Sequence, residues 1–456
     1  MSSLNSIMSI ATGSLDAEQG ALAVTTNNIA NSNTPGYTRE VVNFTESQPI
    51  SEDGSQLGTG VTLQGFQSVR DEVLQSQINS QTQQAGYSLA QSNALQPAET
   101  AFSSTTSGIG VDMTSFFNSI SQLTTNPTDA AVGQTVLNNA ANLVNDFHSA
   151  ASTLSQLQTG LNETVPQSVT EINQLSTQIA NLNQQIASSQ LAGQDPGTIE
   201  DQRDQLVSQL SQLTNIQTSS SSDGETVTTG DGTPLVVGNQ SFALNTTTGS
   251  GGMQEVTQNG QDITSSLTGG SLGGTLQVRD SELPTLQTKL DNLASQFSSA
   301  LNTANQAGFD STGSAGQAFF STAGNIGAAA SIRVALTSPS QIAASSDGTV
   351  GSSGNLSNLL AVQNTELPSG MTPLDAYSDI VYTVGSASSQ AQSNNTATNA
   401  ALSQLQTQQS SISGVSIDEE TTNMMQYQQT YQAAAKVVST VDSLYSILIS
   451  MGLTTA

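Results

Sequence analysis

The sequence has 456 residues, in which seven Lys or Arg stand against 35 Asp or Glu, so its formal net charge is −28. A surface of this charge repels phosphate backbones and anionic headgroups, which excludes nucleic-acid binding and basic-patch membrane binding. Cysteine is absent, which excludes disulfides, thiolate nucleophiles and cysteine-based metal sites. The length is enough for roughly two to four domains.

The N-terminal residues predict an amphipathic helix. Apolar or small residues recur in steps of four and three, the period of a helix that packs along another helix, with Glu18 and Thr25 on the two remaining stripe positions. Pro35 and Gly36 predict a sharp turn, so the helix should end near Asn31. The apolar stripe of this helix consists of Leu4, Met8, Ala11, Leu15, Leu22 and Ile29.

The stretch from residue 37 to residue 213 predicts a short extended segment followed by a helical bundle. The two last helices are separated by the turn sequence GQDPG and should form an antiparallel hairpin. The predicted strand or arm is Tyr37–Phe44, and the predicted helices are 71–105, Phe116–Leu123, Ala130–Leu161, Thr164–Leu191 and Ile199–Leu213.

From Ser219 to Gly274 the chain is dense in Gly, Thr and Ser. Asp223-Gly224, Asp231-Gly232 and Asn259-Gly260 separate short apolar runs, and such pairs favour two-residue hairpin turns. The runs Thr233–Gly238 and Ser241–Asn245 would be strands. This stretch predicts a small all-β domain inserted into the helical body.

Helix is predicted to resume at Leu283. Residues 309–355 lack helical period and predict loops with a strand around Val334; the sequence leaves open whether they extend the β-domain or cap the bundle. Ala376–Gln409 predicts a further helix. A last helix carries an unbroken stripe in steps of three and four, made of Met424, Tyr427, Tyr431, Ala434, Val438, Val441, Tyr445 and Leu448.

The fold class is therefore predicted as mainly α with an inserted all-β domain. The two terminal helices would form a coiled-coil-like pair, or else an ordinary hairpin within the core. The predicted division has three parts: residues 1–57 with 400–456 as a terminal helical domain, 58–218 with 281–399 as a helical bundle in which 309–355 are irregular or β, and 219–280 as an outer β-domain.

Residues with catalytic or metal-binding chemistry are sparse. The single histidine, His148, lies on a predicted helix and cannot form a two-histidine zinc site. Asp418, Glu419 and Glu420 precede the last helix, where carboxylates favour the helix N-terminus. No nucleophile elbow, phosphate loop or calcium loop is present, so we expect no enzyme activity and no cofactor.

A membrane span and a cleaved secretory signal are not expected. No window of 18 apolar residues occurs, and the first positive side chain is Arg39, so the basic start of a signal peptide is missing.

Three runs of residues resemble one group of proteins. AEQGALAVTTNNIANSNTPGYTR (Ala17–Arg39) is similar to the signature of the axial proteins of the bacterial flagellum, and Gly414–Gly452 is similar to their closing segment. GTLQVRDSELPTLQTKLDNLASQFSSALNTANQAGFD (Gly274–Asp310) resembles a stretch typical of the hook-associated protein 1 family, the first hook–filament junction proteins.

The resemblance implies a structural protein that joins hook to filament by axial polymerisation through its terminal helices. Subunit contacts would involve the two apolar stripes and the turn residues Asn27, Asn28, Asn31, Pro35, Gly36 and Tyr37.

The implied partners are further copies of the chain, the hook protein, the second hook–filament junction protein, and an export chaperone at the C-terminal segment. The implied location is the extracellular flagellum, reached through type III export without a cleaved signal peptide.

Three alternatives stay open at this point. A flagellar hook or rod protein would share the terminal motifs, although hook proteins are more β-rich after the first helix. An exported surface adhesin could use the β insertion for binding but has no need of paired terminal helices. A carbohydrate-active enzyme would need paired carboxylates in a cleft, which nothing in the sequence favours.

Overall fold

The computed structural model describes residues 2–52, 55–102, 107–221 and 224–453, and these form a mainly helical molecule with small antiparallel sheets. The helices of this part of the chain are α1 (Ser2–Ala30), α2 (Glu72–Phe102), α3 (Ile109–Leu123), α4 (Ala130–Leu191), α5 (Gly197–Leu213), α6 (Gly270–Gln277), α7 (Leu283–Gln306), α8 (Ala328–Ser331), α9 (Leu356–Ala361), α10 (Pro373–Ser413) and α11 (Ile417–Leu453).

The strands pair only with antiparallel neighbours. The strands are β1 (Glu40–Glu46), β2 (Ile50–Glu52), β3 (Ser55–Leu57), β4 (Val61–Ser68), β5 (Ile216–Ser221), β6 (Gly224–Thr229), β7 (Pro234–Val237), β8 (Gln240–Ser241), β9 (Asn245–Thr248), β10 (Gln254–Gln258), β11 (Gln261–Asp262), β12 (Phe320–Ser321) and β13 (Arg333–Val334). The sheets are β1–β4, β2–β3, β5–β6–β7–β8, β9–β10–β11 and β12–β13.

Helix α4 connects the two halves of the body. It has 62 residues, which corresponds to about 93 Å at 1.5 Å per residue. The prediction of two helices, Ala130–Leu161 and Thr164–Leu191, is therefore wrong at their boundary. Pro166 lies inside the helix and removes one backbone hydrogen bond, but Val165 and Val169 are buried on either side and hold the helix together.

Two hydrophobic cores are arranged along α4. The first contains residues of α2, α3, the first half of α4, α7 and α10 around a cluster of phenylalanines, whose ring centroids lie 5.0 to 6.2 Å apart. The second lies between the second half of α4, α5 and the sheets formed by β5–β11. The predicted α4–α5 hairpin is confirmed, and its buried faces form part of the second core.

The inserted β region has the expected turns. Gly232 and Gly260 take positive φ angles of 90° and 83°, as the Asp-Gly and Asn-Gly pairs predict. The predicted turn at Asp223-Gly224 falls partly on residues 222–223, outside the described residues. Residues 309–355 form short strands and loops, and their buried Phe319, Phe320 and Ile332 belong to the first core.

The prediction that helix resumes at Leu283 is wrong, because α6 begins at Gly270 and continues through a π-helical turn (Val278–Glu282) into α7. The glycines that suggested a loop permit close packing instead. A Cβ on Gly274 would lie 2.4 Å from the Tyr87 carbonyl oxygen of α2. A Cβ on Gly270 would lie 2.2 Å from the Thr214 nitrogen. Glycine therefore lets α6 approach the backbone of its neighbours.

The terminal helices α1 and α11 pack against each other, which confirms the predicted pair. They run antiparallel, since Asn5 bonds to Tyr445 and Arg39 pairs with Glu419. None of their buried residues belongs to either hydrophobic core. The terminal pair is thus a third packing unit, and α1 also contacts β1 and β4.

One carboxyl pair in the bundle makes stability depend on pH. Burial raises the pKa of Asp146 from 3.8 to about 6, and the carboxyl of Asp112 adds to this rise through its charge and a shared proton. Since the folded-state pKa is raised, the proton is held more tightly in the folded protein. Stability should therefore fall as pH rises from about 4 to about 6 and remain lower above that range.

Asp146→Asn should remove the loss of folding stability that the ionised Asp146 causes, while keeping a hydrogen bond to Asp112. Because the group is half-exposed, the gain is about 1 kcal/mol at most, or about 2 °C in the midpoint of thermal unfolding near neutral pH. No gain is expected at about pH 4, where Asp146 is already protonated. Glu171→Gln, exposed on the same helix, is the matched control. An equal gain at both pH values would contradict the assignment.

Candidate assembly surface

The turn that follows α1 is organised by the side chain of Asn28, which is 1% exposed. Its Nδ2 donates to the Glu40 carbonyl oxygen at 2.9 Å, and its Oδ1 accepts from the Glu40 backbone N–H at 3.1 Å. The same oxygen accepts the Tyr37 hydroxyl at 2.8 Å. The side-chain amide thus takes the place of a neighbouring strand and fixes where β1 begins.

The predicted turn residues surround this amide. Asn31 donates to Asn27, and the positive φ of 77° at Gly36 lets the chain reverse. Pro35 is exposed, and its carbonyl accepts from Gln205 of α5 at 2.6 Å. Burial raises the pKa of Tyr37, and the charge of Glu40 raises it further. The Tyr37 hydroxyl therefore stays protonated and available as a donor.

Arg70 joins the turn to the helical body. Its guanidinium pairs with Asp201 at 2.6 Å and with Glu200 at 3.2 Å, both on α5, and also with Asp204. Asp201 in turn accepts the backbone N–H of Thr38 at 2.9 Å. Burial raises the pKa of Asp201, while the bonds from Thr38 and the charge of Arg70 oppose that rise. The terminal turn is thereby attached to α5 through a buried carboxylate.

The segment between α10 and α11 is attached to the same turn after α1. The Arg39 backbone N–H donates to the Ser413 carbonyl at 2.9 Å, and its guanidinium pairs with Glu419 at 2.9 Å. Burial raises the pKa of Glu420, which is 3% exposed, and a hydrogen bond from Asn28 opposes the rise. Both chain segments that lead into the terminal pair are therefore fixed by polar contacts.

A polar cavity of about 410 Å³ lies at this junction, lined mainly by charged and amide side chains that include Arg70, Arg203 and Glu225. Within the described residues, no group of three or more His, Cys, Asp or Glu is arranged to hold a metal ion. His148 is half-buried, and its Nε2 lies 2.7 Å from the Ile332 carbonyl, so it has a structural partner.

The buried side of α1 differs from the predicted stripe. The best-buried residues in its second half are Ala17, Ala21, Asn28 and Thr25. Thr25 lies at a predicted stripe position, and each of the others lies one position before one. The reason is a second partner: α1 packs on β4 as well as on α11, with Gly20 against Leu63. Ala11 is buried as predicted, whereas the larger stripe residues are only half-buried, namely Leu4, Met8, Leu15, Leu22 and Ile29.

The stripe of α11 lies mostly against α1. Ala434 and Val441 are buried, and Met424, Tyr427, Val438 and Tyr445 are half-buried. Tyr431 and Leu448 are exposed, although the spacing placed them on the stripe. They lie at its margins, because a straight helix drifts relative to a strict seven-residue period.

A second apolar surface of α11 is largely exposed to solvent. Val437, Leu444, Leu448 and Met451 follow one another in steps of seven, four and three, and Ile447 lies beside them. Their exposed fractions range from 42% for Val437 to 63% for Met451. We call these five residues the outer face of α11. Apolar surface of this extent on one helix is typical of an interaction surface.

One helical stretch of the described chain is long and apolar enough to cross a membrane, judged by its length and composition only. The qualifying 18-residue window lies within Pro373–Met451, has a mean hydropathy of 1.2, and is 11% buried. This result rests on length and composition alone, so the expectation of no membrane span stays a prediction.

Three family models match the chain. The model of the flagellar hook-associated protein FlgK helical domain matches residues 95–320. The flagella basal body rod protein model matches residues 8–38, and the C-terminal model of the flagellar basal body rod FlgEFG proteins matches residues 406–451. The terminal matches cover α1 with its turn and α11, so they include the surface described above.

Curated relatives match over nearly the whole chain. Flagellar hook-associated protein 1 of Escherichia coli K12 is 27% identical over 98% of this chain and 100% of its own length. The protein of the same name from Bacillus subtilis 168 is 28% identical and covers 96% of each chain. The solved structure of the flagellar hook junction protein FlgK from Burkholderia pseudomallei has a TM-score of 0.67 at 20% identity, over 74% of this chain and 100% of that one.

Replacing Asn28 should loosen the turn without unfolding the cores. In Asn28→Asp, an oxygen replaces the Nδ2 donor opposite the Glu40 carbonyl and the Glu420 carboxylate. The loss of about 2 kcal/mol should accelerate backbone hydrogen exchange of residues 37–46 by about 30-fold. Asn33→Asp, at an exposed position of the same turn, is the matched control. Equal acceleration in both variants would contradict the role assigned to Asn28.

Proposed function

The chain belongs to the flagellar hook-associated protein 1 family, and on this premise we propose that it joins hook to filament by polymerising through its paired terminal helices. The family is structural and not enzymatic. The protein is accordingly a structural component of the bacterial flagellum, at the hook–filament junction.

The outer face of α11 is the observation that carries the proposal. Helix α1 covers only one side of α11, which leaves large apolar side chains such as Ile447 and Met451 in contact with water. Burying apolar surface is favourable by about 25 cal/mol per Å², so contact with neighbouring copies would stabilise the terminal pair. The half-buried Leu15 and Leu22 of α1 offer further apolar surface to the same neighbours.

The junction around Asn28 and Arg70 would set the direction of the terminal pair. Contacts from the turn reach α5 through Asp201, and contacts from Arg39 reach the end of α10 and the start of α11. A pair fixed at this angle presents the same surface in every copy, as a regular assembly requires. The turn residues would thus act by orientation, while the helix faces would supply the subunit contacts.

The axial neighbours proposed for this chain are the hook protein on one side and the second hook–filament junction protein on the other. Before assembly, the apolar C-terminal segment would be held by an export chaperone, because exposed apolar surface promotes aggregation. The protein is exported to the flagellum. We further propose that it lies outside the cell and leaves it through type III export.

The domain division is also proposed. Residues 1–57 with 400–456 would form the polymerising part and 58–218 with 281–399 the supporting bundle. The region 219–280 would face outward as a spacer. The separation of the two cores along α4 supports an inner bundle and an outer β-containing part.

Deleting the gene in its host tests the proposed role. Electron microscopy of the cells should show hooks without filaments, and the medium should contain shed filament subunits. Loss of the hooks themselves would assign the chain to the hook or rod. Normal filaments would contradict a flagellar junction role altogether.

Complementation of that strain tests the outer face. Ile447→Asp should leave the α1–α11 pair intact but prevent filament attachment, because a charge then faces the neighbouring copy. Val441→Asp should also prevent attachment, but by disrupting the pair itself, since Val441 is 3% exposed. Circular dichroism separates the two, with helix lost only in Val441→Asp. Ser446→Asp, exposed and adjacent to Ile447, should retain filaments. Filaments with Ile447→Asp would exclude the outer face as a contact.

A further inference from the structure

The seven basic side chains of the sequence differ in whether they form ion pairs. Arg39, Arg70, Arg203, Arg279 and Lys289 each pair with at least one carboxylate of the same chain. Within the described residues, Arg333 and Lys436 make no such pair, and both are exposed. Lys436 is therefore the one unpaired cation on the terminal helices in the described part of the chain.

Lys436 directly precedes Val437, which lines an apolar groove between α1 and α11. The groove has a volume of about 260 Å³ and is lined by Ile7, Ile10, Ala11 and Ser14 of α1 and by Thr430, Ala433, Ala434 and Val437 of α11. Lys436 adjoins Val437 at one end. Asp442 is an exposed carboxylate on the same part of α11. It lies among serines on the polar side of the helix, away from the groove.

Glu18 lies beyond the other end of the groove. On α1 it continues the row Ile7, Ala11 and Ser14 by one further step of four residues. Its Oε2 is buried and has no hydrogen-bond partner among the described residues, although Glu18 as a whole is half-buried. Burial raises the pKa of Tyr427 of α11, and the charge of Glu18 raises it further, so the two side chains lie near each other.

The two charges cannot pair within one copy. Lys436 is nine residues further along α11 than Tyr427, which corresponds to about 13 Å along the helix axis. One end of the groove is thus positive and the other negative. Such a surface is complementary to a second copy of itself that is displaced along the axis.

We propose that adjacent copies of this chain pack along this groove, with Lys436 of one copy paired to the Glu18 carboxylate of the next. The inference rests on the proposed function and specifies its subunit contact. A head-to-tail contact of this kind repeats without closing on a dimer, which suits a ring or helical assembly. The expected displacement between neighbours is about 13 Å along the helices.

The net negative charge of the chain makes Lys436 important for contact between copies. Copies that each carry a net charge of −28 repel one another, so a contact that contains only carboxylates would oppose assembly. One lysine per contact, placed against an otherwise unpaired carboxylate, reduces this repulsion locally. Opposite charges at the two ends also favour one register over others.

Crosslinking between copies tests the contact, and the absence of cysteine makes the background clean. Two singly substituted chains, Glu18→Cys and Lys436→Cys, are co-expressed in the deletion strain, and isolated hook–filament junctions are treated with a short bismaleimide. A crosslinked dimer is expected in the junctions and not in dilute monomer. The matched control combines Glu18→Cys with Asp442→Cys, which should not crosslink.

Charge reversal gives a second readout in the same strain. Glu18→Lys or Lys436→Glu alone should lower the number of filaments per cell about tenfold or more, because like charges then meet. The double reversal should restore filaments, and Lys436→Arg should behave as the original chain.

Crosslinks from the control pair only, or loss of filaments in the double reversal, would overturn the contact while leaving the junction role intact. A discrete crosslinked dimer in dilute solution would indicate a closed two-fold contact and would overturn the head-to-tail arrangement. Failure of the junction role itself would instead appear as normal filaments in the deletion strain.

Discussion

The structure depends on one imbalance: helix α11 carries more apolar surface than helix α1 covers. The inner side of α11 buries Ala434 and Val441 against α1, and the outer face stays in water. Small residues at the seam allow close approach of the helices but contribute little buried area. The terminal pair is therefore weakly stabilised within one chain, unlike the bundle with its buried phenylalanines. We propose that this imbalance makes the pair depend on neighbouring copies.

The junction between the terminal pair and the body has the opposite character. It is polar and buried, and its contacts connect segments far apart in sequence, such as Thr38 and Asp201. Such networks are directional and cost free energy when a partner is lost, so they hold one geometry. A rigid polar junction that carries an apolar helix pair can present the same surface in every copy. The long helix α4 continues this rigidity toward the outer β region.

Much of this could be predicted from local patterns. The end of α1, the stripe of α11 and the hairpin turns at Gly232 and Gly260 follow from spacing and from turn chemistry. The predictions that were wrong concern residues whose packing partners lie far away in the sequence. Several buried positions of α1 lie one residue before the predicted stripe because α1 packs on β4 as well as on α11, and Gly274 of α6 permits close packing against Tyr87. The role of Asn28 was visible only as part of a motif, since its partners become adjacent through folding.

The most direct measurement is hydrogen exchange of residues 437–451, compared between the dilute full chain and isolated hook–filament junctions. If neighbouring copies supply the missing cover, these amides should exchange rapidly in the dilute chain and slowly in the junction. The amides of the two cores along α4 should be protected in both samples. Strong protection of 437–451 in the dilute chain would show that the pair is complete by itself, which would contradict the dependence on neighbours.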